Sequence, residues 1–253
     1  MISVSLQSGS NGNSTYVEAG DTRLLFDAGI SAGAAWRRLA DLGKNARDCD
    51  AVIISHDHWD HVSSVGAFHR RLGLPVYMSP RVWRAVRARV GPIADLRSFS
   101  PGETICIRDV CVQTIPTPHD GIDSVCFVIE HDRRRLGILT DLGRPSLALA
   151  AALREVDAAY LESNYDVEML RRGPYSPALK RRIAGEGGHL SNIEAAELVR
   201  QNLQGRLRWI ALAHLSHENN TPELALETHR RRVGAALPLV VSPRHKAGAV
   251  MEL

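Results

Sequence analysis

No stretch of this chain approaches the roughly 18 consecutive apolar residues that a bilayer-spanning helix needs. The opening Met1-Ile2-Ser3-Val4-Ser5-Leu6 lacks the basic start and long apolar core of a secretory signal, so we expect a soluble, cytoplasmic protein with no membrane partner. Cysteine is scarce: Cys49, Cys106, Cys111 and Cys126 make no CxxC pair, and three of them lie in apolar, strand-like runs. We therefore expect buried thiols acting as small hydrophobes in a reducing compartment, and no disulfide framework. Neither sign of charge dominates; the net charge of +3 permits a polyanionic substrate without demanding one. With 253 residues, 44% hydrophobic and 23% charged, the chain suits one domain over 1–253 and is too short for a large second one.

What is present in abundance is histidine beside aspartate. The run Ala51-Val52-Ile53-Ile54 reads as a strand buried on both faces, and it delivers Ser55-His56-Asp57-His58-Trp59-Asp60-His61. In an extended segment His56 and His58 point the same way and can grip one ion, while Asp60 and His61 follow the turn and can face a second. A lone histidine is usually a solvated or hydrogen-bonded side chain; four ligand-type residues in the pattern HxHxDH read as a metal site.

Along the chain, strands are expected at 4–6, 15–18, 23–26, 76–78, 105–107, 110–115, 125–129, 135–141, 158–161, 207–213 and 237–242. Helices are expected at 34–42, 62–72, 80–90 and 191–203, the last started by a capping box of Ser191 and Glu194, with a final helix capped by Thr221 and opened by Pro222. The loop from Gln7 to Ser14 reads equally as a plain turn or as a set of donors, with Ser10, Asn11 and Asn13, that helps hold an anion. Arg81, Arg84, Arg87 and Arg89 read as a solvated helix face. The segment 169–185 reads as irregular, and its Arg171, Arg172, Lys180, Arg181 and Arg182 suit either a solvated edge or a nucleic-acid backbone.

His56, His58, Asp60 and His61 match the signature of the metallo-β-lactamase fold superfamily, and the chain resembles its binuclear metal hydrolases. The resemblance implies an α/β fold, a four-layer αββα sandwich. It implies His119, in Pro116-Thr117-Pro118-His119-Asp120, as third ligand of a first ion with His56 and His58, and Asp120 as a partner of that histidine. Asp141, ending a strand in Thr-Asp, would bridge to a second ion held by Asp60, His61 and His214; Asp27 would brace the metal loop. His214 is preferred to His217 because Ala-His-Leu-Ser is similar to a tRNase Z motif, leaving His217 on the substrate side. The two ions, zinc or manganese with iron also compatible, would lower the pKa of a shared water, so the reaction class is hydrolysis.

Retention of His58 sets the chain apart from iron redox members, which carry glutamate there. The 39 residues after His214 cannot hold the helical domain of glyoxalase-type thioester hydrolases, nor the 73 between 141 and 214 the inserted domain of RNase J. The 22 residues from 119 to 141 are too few for the tRNA-clamping arm of tRNase Z. Yet Gly188-His189-Leu190-Ser191 and Leu161-Glu162-Ser163-Asn164 resemble tRNase Z motifs, which implies Glu162 and His189 as a proton shuttle. Across nearly the full length the pattern is closest to the YycJ/WalJ group. Its marks are the Ser-Gly-Ser-Asn-Gly-Asn opening, Phe26-Asp27-Ala28-Gly29, SHDHWDH, Gly-His-Leu-Ser-Asn and His-Leu-Ser-His-Glu-Asn-Asn. That group implies a phosphodiesterase acting on DNA, an exonuclease. We expect Asp60, Glu162 and His189 to be catalytic and Ser10, Asn11, Asn13, His189, Ser191, Asn192 and His217 to lie near substrate. A hydrolase of a small ester, thioester, lactone or cyclic phosphodiester is the alternative, and a catalytically silent metal-binding regulator the second. The state of assembly is open, with a homodimer among the options.

Overall fold

The strands that carry the motifs are buried on both faces, as central strands of a covered sheet must be. The computed structural model describes residues 1–203, 206–235 and 237–253. In its first half lie β1 (Ile2–Gln7), β2 (Ser14–Ala19), β3 (Thr22–Phe26), β4 (Ala51–Ile53), β5 (Val76–Met78) and β6 (Leu96–Ser98), with helices α1 (Ala32–Ala40), α2 (Trp59–Val62), α3 (Val65–Leu72) and α4 (Pro80–Val90). The strands of the second half are β7 (Thr104–Ile107), β8 (Val110–Pro116), β9 (Val125–His131), β10 (Arg134–Leu139), β11 (Ala158–Glu162), β12 (Trp209–Ala213), β13 (Leu239–Val241) and β14 (Met251–Glu252). Its helices are α5 (Leu147–Glu155), α6 (Val167–Arg172), α7 (Pro177–Ile183), α8 (Asn192–Asn202) and α9 (Pro222–Val233).

Two seven-stranded sheets form, in the orders β14-β1-β2-β3-β4-β5-β6 and β13-β12-β11-β10-β9-β8-β7. Phe26, Ile53, Phe127, Ile138 and Tyr160 belong to the apolar layer between the sheets, where the rings of Phe26 and Phe127 sit 5.1 Å apart. A second layer joins the first sheet to α1, α3 and α4, and a third joins the second sheet to α5, α8 and α9. The result is the expected four-layer αββα sandwich.

β3 to β6 run parallel, as do β10 to β13, and the antiparallel steps return β1 and β8 to the same direction as their sheet-mates. The loops leaving β1, β3, β4, β8, β10, β11 and β12 therefore gather at one edge. Carboxyl ends of parallel strands are where α/β sheets leave room for ligands.

Several sequence expectations need correction. The segment 62–72 is split, because the Ser64 amide turns aside to the Ala28 carbonyl, so the ligand loop enters α2 at His58. The segment 169–185 contains α6 and α7, capped by Asp166 and Ser176, with Pro177 preset for the first turn of α7. The chain ends in β14, which pairs with β1 and receives the Trp209 indole N–H at the Glu252 carbonyl. Cys106 and Cys111 are bonded as a disulfide, since the two-residue turn of the β7–β8 hairpin sets them opposite each other with Cα atoms 4.2 Å apart. Only Cys49 and Cys126 are buried free thiols, each pushed up to about 12 by burial.

Candidate metal centre

β4 ends at Ile53, and the next residues are held by a neighbouring strand end. Asp27, following β3, accepts the Ser55 amide at 2.8 Å and the Ser55 hydroxyl at 2.9 Å. The same hydroxyl lies 2.9 Å from His56 Nδ1, and the other Asp27 oxygen takes the Nδ1 proton of His61 at 2.8 Å. Across the edge, the Gly188 carbonyl accepts from His119 Nδ1 at 2.8 Å. In each case the remote ring nitrogen is held by a protein group and the near one is aimed inward, as in a metal ligand; that of His61 also lies 2.9 Å from the Asn13 side-chain amide.

The near atoms converge. His58 Nδ1 and His119 Nε2 are 3.1 Å apart, and His61 Nε2 and His214 Nε2 3.4 Å. Asp141 lies between the pairs, with one oxygen 3.5 Å from His119 Nε2 and the other 3.2 Å from His61 Nε2. His56 Nε2 and Asp141 Oδ2 are fully buried without any hydrogen-bond partner. Lone pairs brought this close repel unless a cation lies among them, and buried acceptors without partners are costly. Ligand atoms in the sets His56–His58–His119, His56–His61–Asp141 and Asp60–His61–His214 all lie within 4.8 Å of one another. The residues fit a divalent-metal site.

Backbone strain is concentrated here. Asp27, Asp141 and His214 all take left-handed φ values, 63°, 57° and 55°, which turn the chain sharply off β3, β10 and β12. Gly29 is required by close approach: a Cβ there would stand 1.7 Å from the Asp60 carbonyl oxygen.

The electrostatics favour positive charge. Burial opposes a proton on His61, yet Asp141, Asp27 and Asp60 together push it up to about 10. Burial likewise opposes charge on His189, and Glu162 overrides it to reach about 9. Burial and the neighbouring His61 drive His56 the other way, well below its usual value, so it is a neutral imidazole ready to coordinate. Glu162 is fully buried, accepts from His189 Nδ1 at 2.8 Å and from the Leu190 amide at 3.0 Å, and lies in the set Asp141–Glu162–His189–His214.

These groups open into a cleft of about 300 Å³, lined also by Ser10, Trp59, Tyr175, Leu179 and Arg182. Other expected substrate residues lie elsewhere. Asn13 is buried and donates to Asp60 Oδ2 at 3.2 Å, bracing a ligand-type residue. Asn11 is turned outward to Arg244 and His245. Ser191 caps α8, and Asn192 is buried in a network with Ser163 and Asn220. His217 is exposed against Glu218, outside the cleft. Asp120 does not hold the remote nitrogen of His119; it is bonded by Arg182 at 2.6 Å and lies 3.4 Å from His58 Nε2. The sequence reading passed over Ser55 and Asn164, which donates to the His214 carbonyl at 2.7 Å; both directly adjoin named motif residues, and that adjacency was the available signal.

A sandwich of this topology, with histidines and carboxylates gathered at one strand edge, has known counterparts. The chain belongs to the metallo-beta-lactamase superfamily, whose profile matches residues 8–179. It is 36% identical over 224 residues to exodeoxyribonuclease WalJ of Streptococcus pneumoniae, covering 87% of this chain and 83% of that one. To exodeoxyribonuclease YycJ of Bacillus anthracis it is 34% identical over 222 residues, 87% and 84% of the two chains. Among solved structures, the metallo-beta-lactamase fold protein YhfI of Bacillus subtilis superposes with a TM-score of 0.76 at 16% identity over the whole of both chains. No described helix is long and apolar enough to cross a membrane.

Proposed function

We propose that the protein is a metal-dependent phosphodiesterase that removes nucleotides from the ends of DNA. The observation that carries the reading is that the ligand sets sharing Asp141 open into one cleft with a histidine, His189, whose far nitrogen is held by a buried glutamate at 2.8 Å. The two relatives named as exodeoxyribonucleases, matched over most of both chains, support DNA as the substrate.

In this reading His56, His58 and His119 would hold one ion and Asp60, His61 and His214 a second, with Asp141 shared between the two sets; zinc or manganese would suit the donors, and iron would be compatible. Bound there, the ions supply Lewis acidity and lower the pKa of a water. Water attacks phosphorus, the bond to the leaving oxygen breaks, and that oxygen takes its proton from His189 Nε2. Glu162, buried behind Nδ1, fixes the ring and stabilises its charged form. Burial opposes ionisation of Asp60, yet His61 and His214 hold its carboxyl well below the usual range, so at the cleft it stays an anion and the proton of the water passes to solvent. Arg182, held by Asp120 beside His58, offers positive charge to the phosphate.

One observation favours a second reading, a small phosphodiester substrate. Of the basic residues at 171–182, Arg182 alone lines the cleft, while Arg171 and Arg172 pair with Glu168 and Lys180 bonds the Arg171 carbonyl. Turnover of double-stranded DNA, single-stranded DNA, RNA, a cyclic nucleotide and a thioester by metal-reconstituted protein decides between them. The expected result is nucleotide release from DNA, reduced at least about 100-fold in Asp60→Ala and His189→Ala. Cleavage of a cyclic nucleotide or thioester with every DNA untouched overturns the nuclease reading.

A further inference from the structure

Trp59 stands between two ligand-type residues, His58 and Asp60, and begins the four-residue helix α2. It belongs to none of the three apolar layers. With 43% of its surface exposed, it is the one large exposed apolar side chain, among the described residues, that lines the metal cleft. An indole left in water at the mouth of a reactive cleft does nothing for the core, and large aromatics at such places are typical of contacts with ligands.

Its surroundings narrow the ligand. Arg89, from the last turn of α4, sets its guanidinium carbon 3.8 Å from the indole centroid, within cation–π range. That occupies one face of the ring and holds it, so the exposed surface is the remainder. The same cleft is lined by a second aromatic, Tyr175, and the cationic Arg182. At about 300 Å³ the cleft matches the lower end of small-ligand sites, roughly 300–1,000 Å³, and suits one nucleotide rather than a duplex. A flat apolar ring beside a cation, next to phosphate chemistry, is the composition of single-strand nucleic-acid sites, where bases stack on aromatics with little regard to their identity.

We propose that Trp59 is a stacking platform for the base of the nucleotide being removed, its other face braced by Arg89. The inference rests on the phosphodiesterase reading and deepens it. The terminal base is gripped by its π-face, so all four bases are accepted, and loss of the base costs catalysis even though no bond to the base changes. Arg89, which read from sequence as part of a solvated helix face, becomes part of the substrate site.

The test uses the metal-loaded full chain and single-stranded oligonucleotides whose terminal nucleotide, at either end, carries thymine, adenine or no base. For the wild-type protein, kcat/KM is expected to fall roughly tenfold or more when the terminal base is absent, and to differ little between thymine and adenine. In Trp59→Ala that base-to-abasic ratio collapses towards one, and in Trp59→Phe most of it returns. The ratio is internal to each variant, so general damage to the neighbouring ligands cancels. As a second measurement, deoxyadenosine 5′-monophosphate is expected to quench the tryptophan fluorescence of the wild-type protein but not that of Trp59→Phe, whereas deoxyribose 5-phosphate quenches neither. Equal wild-type rates on base-bearing and abasic ends, or a ratio that survives in Trp59→Ala, overturn the platform while leaving the nuclease standing. Absence of turnover on every DNA overturns the reading beneath both.

Discussion

Single atoms decide what the cleft can hold. Asp27 never faces the cavity, yet its two oxygens fix Ser55 and, through it, His56, and directly fix His61. Asp27→Asn keeps the shape and can still accept from Ser55, but its amide end cannot accept the His61 Nδ1 proton. We expect metal affinity to fall about 10- to 100-fold, the usual cost of losing such a partner, read by titrating the metal-free protein with zinc or manganese. Unchanged affinity would show that His61 is oriented by α2 alone. The crowded carboxylates supply the complementary term, and their pull on protons at His61 and His189 is the same field that would draw in cations.

At the scale of elements, strands and helices are held to the site by polar contacts as well as by packing. α9 presents His229, fully buried, with Nε2 3.2 Å from the Ser163 hydroxyl and Nδ1 unpartnered. Burial, helped by the charge of Arg232, lowers its pKa to about 4. The unfolded chain, with an ordinary histidine near 6.5, binds the proton more readily, so this contribution to stability is complete above about pH 6.5 and is lost as pH falls towards 4. Urea unfolding at pH 7.5 and at pH 5 should show the wild-type protein losing about 2 kcal/mol more than His229→Gln over that interval. Equal losses in the two proteins would mean that His229 is reached by water.

The whole molecule is two sheets pressed together, and the site is their common edge. Phe26, one residue before Asp27, packs on Phe127 of the opposite sheet at 5.1 Å between ring centres. Phe127→Ala should cost about 3–5 kcal/mol in denaturant unfolding, with a fall in metal affinity because the strand bearing Asp27 loses its backing. A cost below about 1 kcal/mol would show that the layer can close over the missing ring. Tyr160 bonding Ser3 at 3.1 Å and Trp209 bonding the Glu252 carbonyl at 2.8 Å stitch the same two sheets.

Much of the fold and the metal centre can be read in the sequence because both depend on local pattern. An apolar run that stops at an ionisable residue marks a strand end; β4, β10 and β12 deliver their ligand-type residues in that way, and the αββα architecture follows from the family likeness. Helix caps such as Ser191 with Glu194, and Thr221 with Pro222, are equally local and equally legible. Which way a polar side chain faces is not local. Asn13, Ser191 and Asn192 read as substrate contacts but are drawn inward to satisfy buried groups, and His217 and Asn11 turn outward. Cys106 and Cys111 meet only because hairpin register sets them opposite. Trp59 and Arg89, thirty residues apart, meet only because α4 packs beside the metal loop. The sequence by itself determined the ligand-type residues and the strands that deliver them, since spacing and periodicity act between neighbours, while β6, β14 and helices α5, α6 and α7 emerged only in the fold. Tertiary structure alone decided which polar groups brace and which face the cleft, because partners distant in sequence choose the direction of each side chain.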